Sequence, residues 1–276
     1  FAYKPAPIQV NYLGFPGTIG APYMDYMIAD HIVLPLESRA HYVEKIAYLP
    51  NSYQANDDRR MISPKKFSRA EFGLPEQGFV FACFNNNYKI TPTTFDSWMR
   101  ILSLVQGSVL WLLADNPIAR ENLIKEADTR GIDPSRLIFA ERLPISEHLA
   151  RHHLADLFID TLPYNAHTTC SDALWAGLPV LTLMGSTFPG RVSASLLDAL
   201  GLSELITYTE GDYLKLAVEL ATNQEKLKKI RSTIVSNLLE KPLFNSELFV
   251  KNLEAAYIKM YERYTADLKP ENIFIN

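Results

Sequence analysis

The chain has 276 residues, 47% of them hydrophobic and 21% charged, which excludes pervasive disorder and leaves room for one large domain or two modest ones at about 150 residues each. A net charge of -4 excludes a sequence-independent nucleic-acid binder, which needs a basic stripe against phosphates. Two cysteines, Cys83 and Cys170, in no metal-ligand spacing, and no apolar run near the roughly 18 residues of a membrane span predict a cytoplasmic protein without membrane, zinc or disulfide framework.

The sequence opens on "FAYKPAPIQVNYLG", without a methionine and already reading as strand, which suggests a piece of a longer protein. Residues 1–70 are rich in turns: "GFPGTIGAP" holds three glycines and two prolines, and "YMDYMIADHIVLP" ends in a short buried strand. From Gly78 apolar strands alternate with amphipathic helices, the signature of a parallel sheet covered on both faces. Six strands of a Rossmann-like sheet are predicted at 79–85, 108–114, 136–141, 155–160, 179–183 and 204–207. Between the first two, "TPTTFDSWMRILSLV" carries a Thr cap and an early proline. Its Phe95, Trp98, Ile101, Leu102 and Val105 recur at helical spacing and are assigned to the sheet. "NPIARENLIKEADTRG" stops on Gly131. From about Asp212 to Tyr264 the chain reads as consecutive helices, and "TADLKPENIFIN" as a loose tail.

Ligands of open parallel sheets bind beyond the carboxyl ends of strands, where helix N-termini attract anions. Every polar cluster of this chain follows such an end. In "FNNNYKITPTT", Lys89 is a mobile cation and Asn86 and Asn87 are amide donors; the stretch also reads as a solvated turn. In "LPISEHLARHH", His148 and Arg151 share a helical face, suited to a nucleotide base. His148 and His152 also stand four apart, but without the glutamate of an H-E-x-x-H zinc motif, so no metal site is predicted. In "YNAHTTCSDALWAG", His167, Thr168 and Thr169 open a helix, and Thr169 with Asp172 has the T-x-x-D spacing of a capping box, so capping and anion binding both remain open. "GSTFPGR" reads as an ordinary strand-to-helix connection. No D-x-D pair and no G-x-x-x-x-G-K-[ST] loop occurs, so a departing diphosphate would rest on lysine, hydroxyls and a helix N-terminus.

Taken together and in order, "QVNYLGFPGTIGAPYMDYMIAD", "FNNNYKITP", "SVLWLL", "HTTCSDALWAGLPV" and "KPLFNSELF" resemble the catalytic region of the O-linked N-acetylglucosamine transferase and SPINDLY-like family, in bacterial-type form, over nearly the whole chain. The resemblance implies an α/β protein of GT-B architecture, two Rossmann-like domains facing across a cleft. Residues 1–70 would be the tail of the amino-terminal catalytic domain, only partly present. Residues 71–243 would be a complete nucleotide-sugar-binding domain, and 244–276 a carboxyl-terminal helix and tail that brace the first domain. The implied activity is an inverting transfer of N-acetylglucosamine from UDP-N-acetylglucosamine to Ser or Thr hydroxyls of proteins, with no cofactor and no metal. Tetratricopeptide repeats are implied in the full-length parent.

The resemblance also implies roles for single residues. Lys89 and His167 would be catalytic. Lys89 and Asn86 would contact the diphosphate, with His167, Thr168 and Thr169 closing around it and Asp172 at the ribose. Leu143, His148 and Arg151 would border the uracil, Leu112 and Leu113 the sugar's acetamide, and Gly14, Pro16 and Gly17 would reach the sugar from the other domain. Asn86 stands where animal members have glutamine, Ile145 where the family has a lysine, and Tyr164, beside the sugar pocket, where a smaller residue is common. A run of threonines in place of "AHTT" marks the branch that transfers fucose from a GDP-sugar, so His167 favours the UDP side. The family's base histidine has no counterpart before Phe1, and the isolated chain is expected to bind UDP weakly and turn over poorly. The remaining alternative is a nucleotide-binding scaffold, against which Lys89, His167, Thr168 and Thr169 together argue.

Overall fold

The computed structural model describes residues 1–276. Strands β1 (Val10–Asn11), β2 (Tyr26–Ala29) and β3 (Lys45–Tyr48) lie parallel, side by side in chain order. Within the opening stretch, read as strand, only Val10–Asn11 extends; residues 1–8 are turns and bends, since Pro5 and Pro7 have no N–H for a ladder. Nor does "HIVLP" extend. The strand ends at Ala29, and the Asp30 carboxylate accepts the Ile32 and Val33 amides (2.8 and 2.9 Å), bending the chain while Val33 and Leu34 stay buried.

The second sheet has six strands: β4 (Val80–Cys83), β5 (Val109–Leu113), β6 (Leu137–Ala140), β7 (Leu157–Ile159), β8 (Val180–Leu183) and β9 (Ile206–Thr207). All pairings are parallel, in the order β6-β5-β4-β7-β8-β9. This is a doubly wound sheet whose winding reverses between β4 and β7, opening a crevice at their carboxyl ends. The strands are legible as unbroken apolar runs because both faces are covered: Phe81, Leu157, Phe158, Val180 and Leu181 are fully buried.

The cover comes from α1 (Pro92–Leu104), α2 (Pro117–Thr129), α3 (Ile145–Arg151), α4 (Thr168–Trp175), α5 (Val192–Ala199), α6 (Glu210–Thr222) and α7 (Gln224–Glu240). Thr91 caps α1 by accepting the Thr94 amide (3.3 Å), and Phe95, Trp98, Ile101, Leu102 and Val105 are buried as the spacing predicts. Gly131, at φ +72°, follows the end of α2 in the left-handed region.

The last helix, α8 (Ser246–Thr265), returns to the first sheet, where Ala256 and Met260 pack on Tyr26, Ile28 and Ala47. The tail is not loose. Its Ile273–Phe274 forms β10, parallel to β3, and Ile273 and Ile275 are buried against α8 while Phe274 points the other way. Between the sheets runs a buried polar seam: Asp30 Oδ2 accepts from Ser195 Oγ (2.7 Å) and the Tyr53 amide (2.8 Å), and Arg191 Nε donates to the Ile32 carbonyl (2.5 Å).

Candidate functional site

A cavity of about 500 Å³ opens at the carboxyl ends of the second sheet, where the winding reverses. Asn86, Lys89, Leu113, Leu143, His148, Arg151, Tyr164, His167, Thr168, Thr169 and Asp172, predicted from separate stretches, line this one wall. Phe84, Asn85, Arg142 and Ile145 join them.

One corner is built for an anion. The chain leaves β4 through a tight turn that ends on Lys89, whose Nζ donates to the Asn165 carbonyl (2.8 Å) and stands 4.3 Å from the centroid of the Tyr164 ring. The ammonium thus rests on a carbonyl and a π face rather than on a carboxylate. Burial lowers its pKa, with the Asp160 charge opposing. Asp160, buried at the end of β7, shapes the loop that receives Lys89. Its Oδ1 accepts the amides of Thr161 (2.7 Å) and Ala166 (2.6 Å), and its Oδ2 accepts Thr182 Oγ1 (2.7 Å). Burial pushes this carboxyl up while the hydrogen bonds pull it down. Asn85 Nδ2 donates to Thr161 Oγ1 (2.8 Å), and Asn165 Nδ2 to the Thr161 carbonyl (2.7 Å). Asn85, Asp160 and Asn165 form a support that the motif reading passes over.

Of the two readings left open for this stretch, the capping box does not form. Helix α4 starts two residues earlier than that box requires, so Thr169 already lies inside the helix; its hydroxyl donates to Asn85 Oδ1, and Asp172 is ion-paired with Arg60. His167 takes the cap position without a side-chain cap bond. The first amides of α4 therefore have neither an intrahelical acceptor nor a cap, which leaves them to an anion. His167 Nε2 lies 3.2 Å from the Pro189 carbonyl, and because a carbonyl only accepts, Nε2 carries the proton and Nδ1 a lone pair. Burial, then the charge of Lys89, holds the His167 pKa down to about 4.

The other end suits a planar base. Arg151, 1% exposed, donates from Nη1 to the Glu141 carbonyl (2.5 Å) and lies over Phe84, 4.6 Å from the ring centroid. Its Nη2 is 2.6 Å from His148 Nδ1, which fixes that nitrogen as acceptor and Nε2 as the N–H. Burial, then Arg151 and Arg142, drives the His148 pKa down to about 3. His152 is in the core with Nδ1 on the His148 carbonyl (2.7 Å), and His153 is exposed. No group of three or more His, Cys, Asp or Glu side chains is gathered as metal ligands anywhere in the chain.

Four predicted residues are not brought to the wall. Leu112 is 1% exposed in the core; adjacent strand residues face opposite ways, so only Leu113 looks into the cavity. Gly14, Pro16 and Gly17 lie on the loop after β1, held by Asn11 Nδ2 on the Gly17 carbonyl (2.8 Å) and by Glu44 on Thr18 and Ile19 (2.5 and 2.6 Å), outside the cavity wall.

The glycosyl transferase family 41 profile matches residues 1–68 and 65–253. A probable UDP-N-acetylglucosamine–peptide N-acetylglucosaminyltransferase SEC of Arabidopsis thaliana is 40% identical over 99% of this chain and 28% of its own length. The UDP-N-acetylglucosamine–peptide N-acetylglucosaminyltransferase of Caenorhabditis elegans is 27% identical over 100% of this chain and 34% of its own. Among solved structures, a point mutant of the Thermobaculum terrenum O-GlcNAc transferase superposes with a TM-score of 0.84 at 32% identity, over 94% of this chain and 49% of that one. The chain thus spans 28% and 34% of the two curated relatives and 49% of the solved one.

Proposed function

The chain belongs to glycosyl transferase family 41, and from that premise we propose that it carries the donor site of an inverting transferase that moves N-acetylglucosamine from UDP to Ser or Thr hydroxyls of proteins. One observation carries the reading: Lys89, His167 and the uncapped start of α4 converge on one corner, with Arg151 and His148 at the other end of the same cavity. In an inverting displacement the acceptor oxygen bonds to the anomeric carbon as the carbon–phosphate oxygen bond breaks, leaving its electron pair on UDP, while the hydroxyl proton passes to a base or to water. Lys89 and the α4 amides face that growing charge. His148 Nε2–H and Arg151 present donors to carbonyl oxygens of a base such as uracil. Leu113 and Tyr164 border the sugar, Asn86 and Thr168 the phosphates, and Asp172 the ribose.

Asp172 is the one acidic side chain in the wall, and Arg60 already engages it. The donor set is cationic and N–H or O–H bearing, which favours a metal-independent departure of UDP without any cofactor. A reducing, cytoplasmic setting is in keeping with Cys83 and Cys170, both buried free thiols; no helix is long and apolar enough to cross a membrane.

Calorimetric titration with UDP, GDP and UDP-N-acetylglucosamine, with and without magnesium, tests this. UDP should bind equally well in both conditions, and Lys89→Ala should weaken it about tenfold or more, the scale of losing a buried charged hydrogen bond. Preference for GDP, or dependence on magnesium, would overturn the donor assignment.

A further inference from the structure

We propose that Tyr164 is a positioning residue, whose ring sets Lys89 and His167 at the spacing that grips the diphosphate; the inference rests on the cavity being the UDP site. The Tyr164 ring stacks on His167, with centroids 4.7 Å apart and planes 23° apart, and Lys89 Nζ stands 4.3 Å from the same ring's centroid. One aromatic ring therefore touches both groups, which come from different connections, one after β4 and one at the start of α4.

The backbone that carries the ring is held on both sides. The Tyr164 carbonyl accepts from Thr161 Oγ1 (2.7 Å), and the next residue, Asn165, donates its amide to the Pro189 carbonyl (2.9 Å) and offers its own carbonyl to Lys89. The same Pro189 carbonyl receives His167 Nε2. Tyr164, Asn165, Lys89, His167 and Pro189 form a closed set of contacts in which each directional bond constrains the next.

A π face has a property here that a carboxylate lacks. It attracts an ammonium without neutralising it, so Lys89 keeps its whole charge for an incoming anion. An acid in that place would repel the diphosphate. Stacking on Tyr164 likewise fixes the plane of His167 without using either ring nitrogen, so Nε2 stays on Pro189 and Nδ1 stays available to a ligand.

The test compares Tyr164→Phe, which keeps the ring, with Tyr164→Leu, which keeps apolar bulk without the π face. Calorimetry with UDP and with uridine, which lacks the diphosphate, is paired with an NMR pH titration of the His167 imidazole. The Phe variant should bind UDP within about twofold of the parent, and the Leu variant about tenfold more weakly, as a lost desolvated cation–π contact implies. Uridine affinity should be unchanged in both, and the His167 midpoint should rise in the Leu variant alone, because Lys89, whose charge adds to the lowering by burial, is no longer held beside the imidazole. A Leu variant that binds UDP as the parent does, or that loses UDP and uridine alike, overturns the inference. If the parent itself ignores UDP, the site assignment fails; the imidazole titration still decides the stack, since an unmoved midpoint in the Leu variant overturns it independently.

Discussion

Two histidines of the cavity wall, His148 and His167, are held neutral, with pKa values near 3 and 4 against an ordinary 6.5. The unfolded chain takes up a proton on each as pH falls below 6.5, while the folded chain does not until pH reaches those lower values. Their contribution is therefore whole above pH 6.5 and is lost as pH falls toward 4. Each steepens the acid slope of unfolding free energy by up to about 1.4 kcal/mol per pH unit. Urea denaturation from pH 7 to pH 4.5 should show the slope, and His148→Gln should reduce it by about one proton; an unchanged slope would mean that His148 titrates normally in the fold. The types of these residues are legible in the sequence, but their protonation is not, because it comes first from burial and then from the charges of Arg151 and Lys89, all brought about by folding. Asn165 gives no signal at all, since it works partly through a backbone carbonyl that any residue has. Leu112 is the opposite case: strand alternation already separates it from Leu113.

The decisive element is the connection from β7 to α4. Asp160 carries the loop, and Asp160→Ala would leave the Thr161 and Ala166 amides and the Thr182 hydroxyl without their acceptor. A loss of about 3 kcal/mol or more is expected, read from urea midpoints, because three buried donors lose their partner at once. UDP affinity should fall with it, as Asn165 no longer aims at Lys89. Much of this was hidden: "LFID" announces a buried strand, but a terminal aspartate reads alike whether it faces water or folds under the next loop. The apolar runs of β4, β5, β7 and β8 were legible because burial on both faces leaves little room for anything else. Strand β10 was obscured for a different reason: it is two residues long and follows the charged "LKPEN".

On the scale of the molecule, the two sheets share a core that includes Met27, Ala29 and Tyr48 of the first together with Phe81 and Phe158 of the second. No periodicity encodes that sharing, and only the family resemblance anticipated that the last helix would reach back. Removing residues after Thr265 deletes β10 and exposes the α8 surface that Ile273 and Ile275 cover. A destabilisation of about 2–5 kcal/mol is expected from that apolar area, seen as a lower urea midpoint, with uridine binding retained at low denaturant because the cavity lies wholly on the second sheet. Loss of uridine binding in a folded truncation would show that the sheets are energetically coupled through the site. The pairing of Ala47 with Ile273 has a consequence in time as well as in space. On the ribosome, β3 emerges far ahead of its outer neighbour: at about 5–20 residues per second, some tens of seconds of synthesis separate the two. The second sheet, contiguous in sequence, can close during that wait, so of the two sheets the one that begins earlier in the chain is finished later.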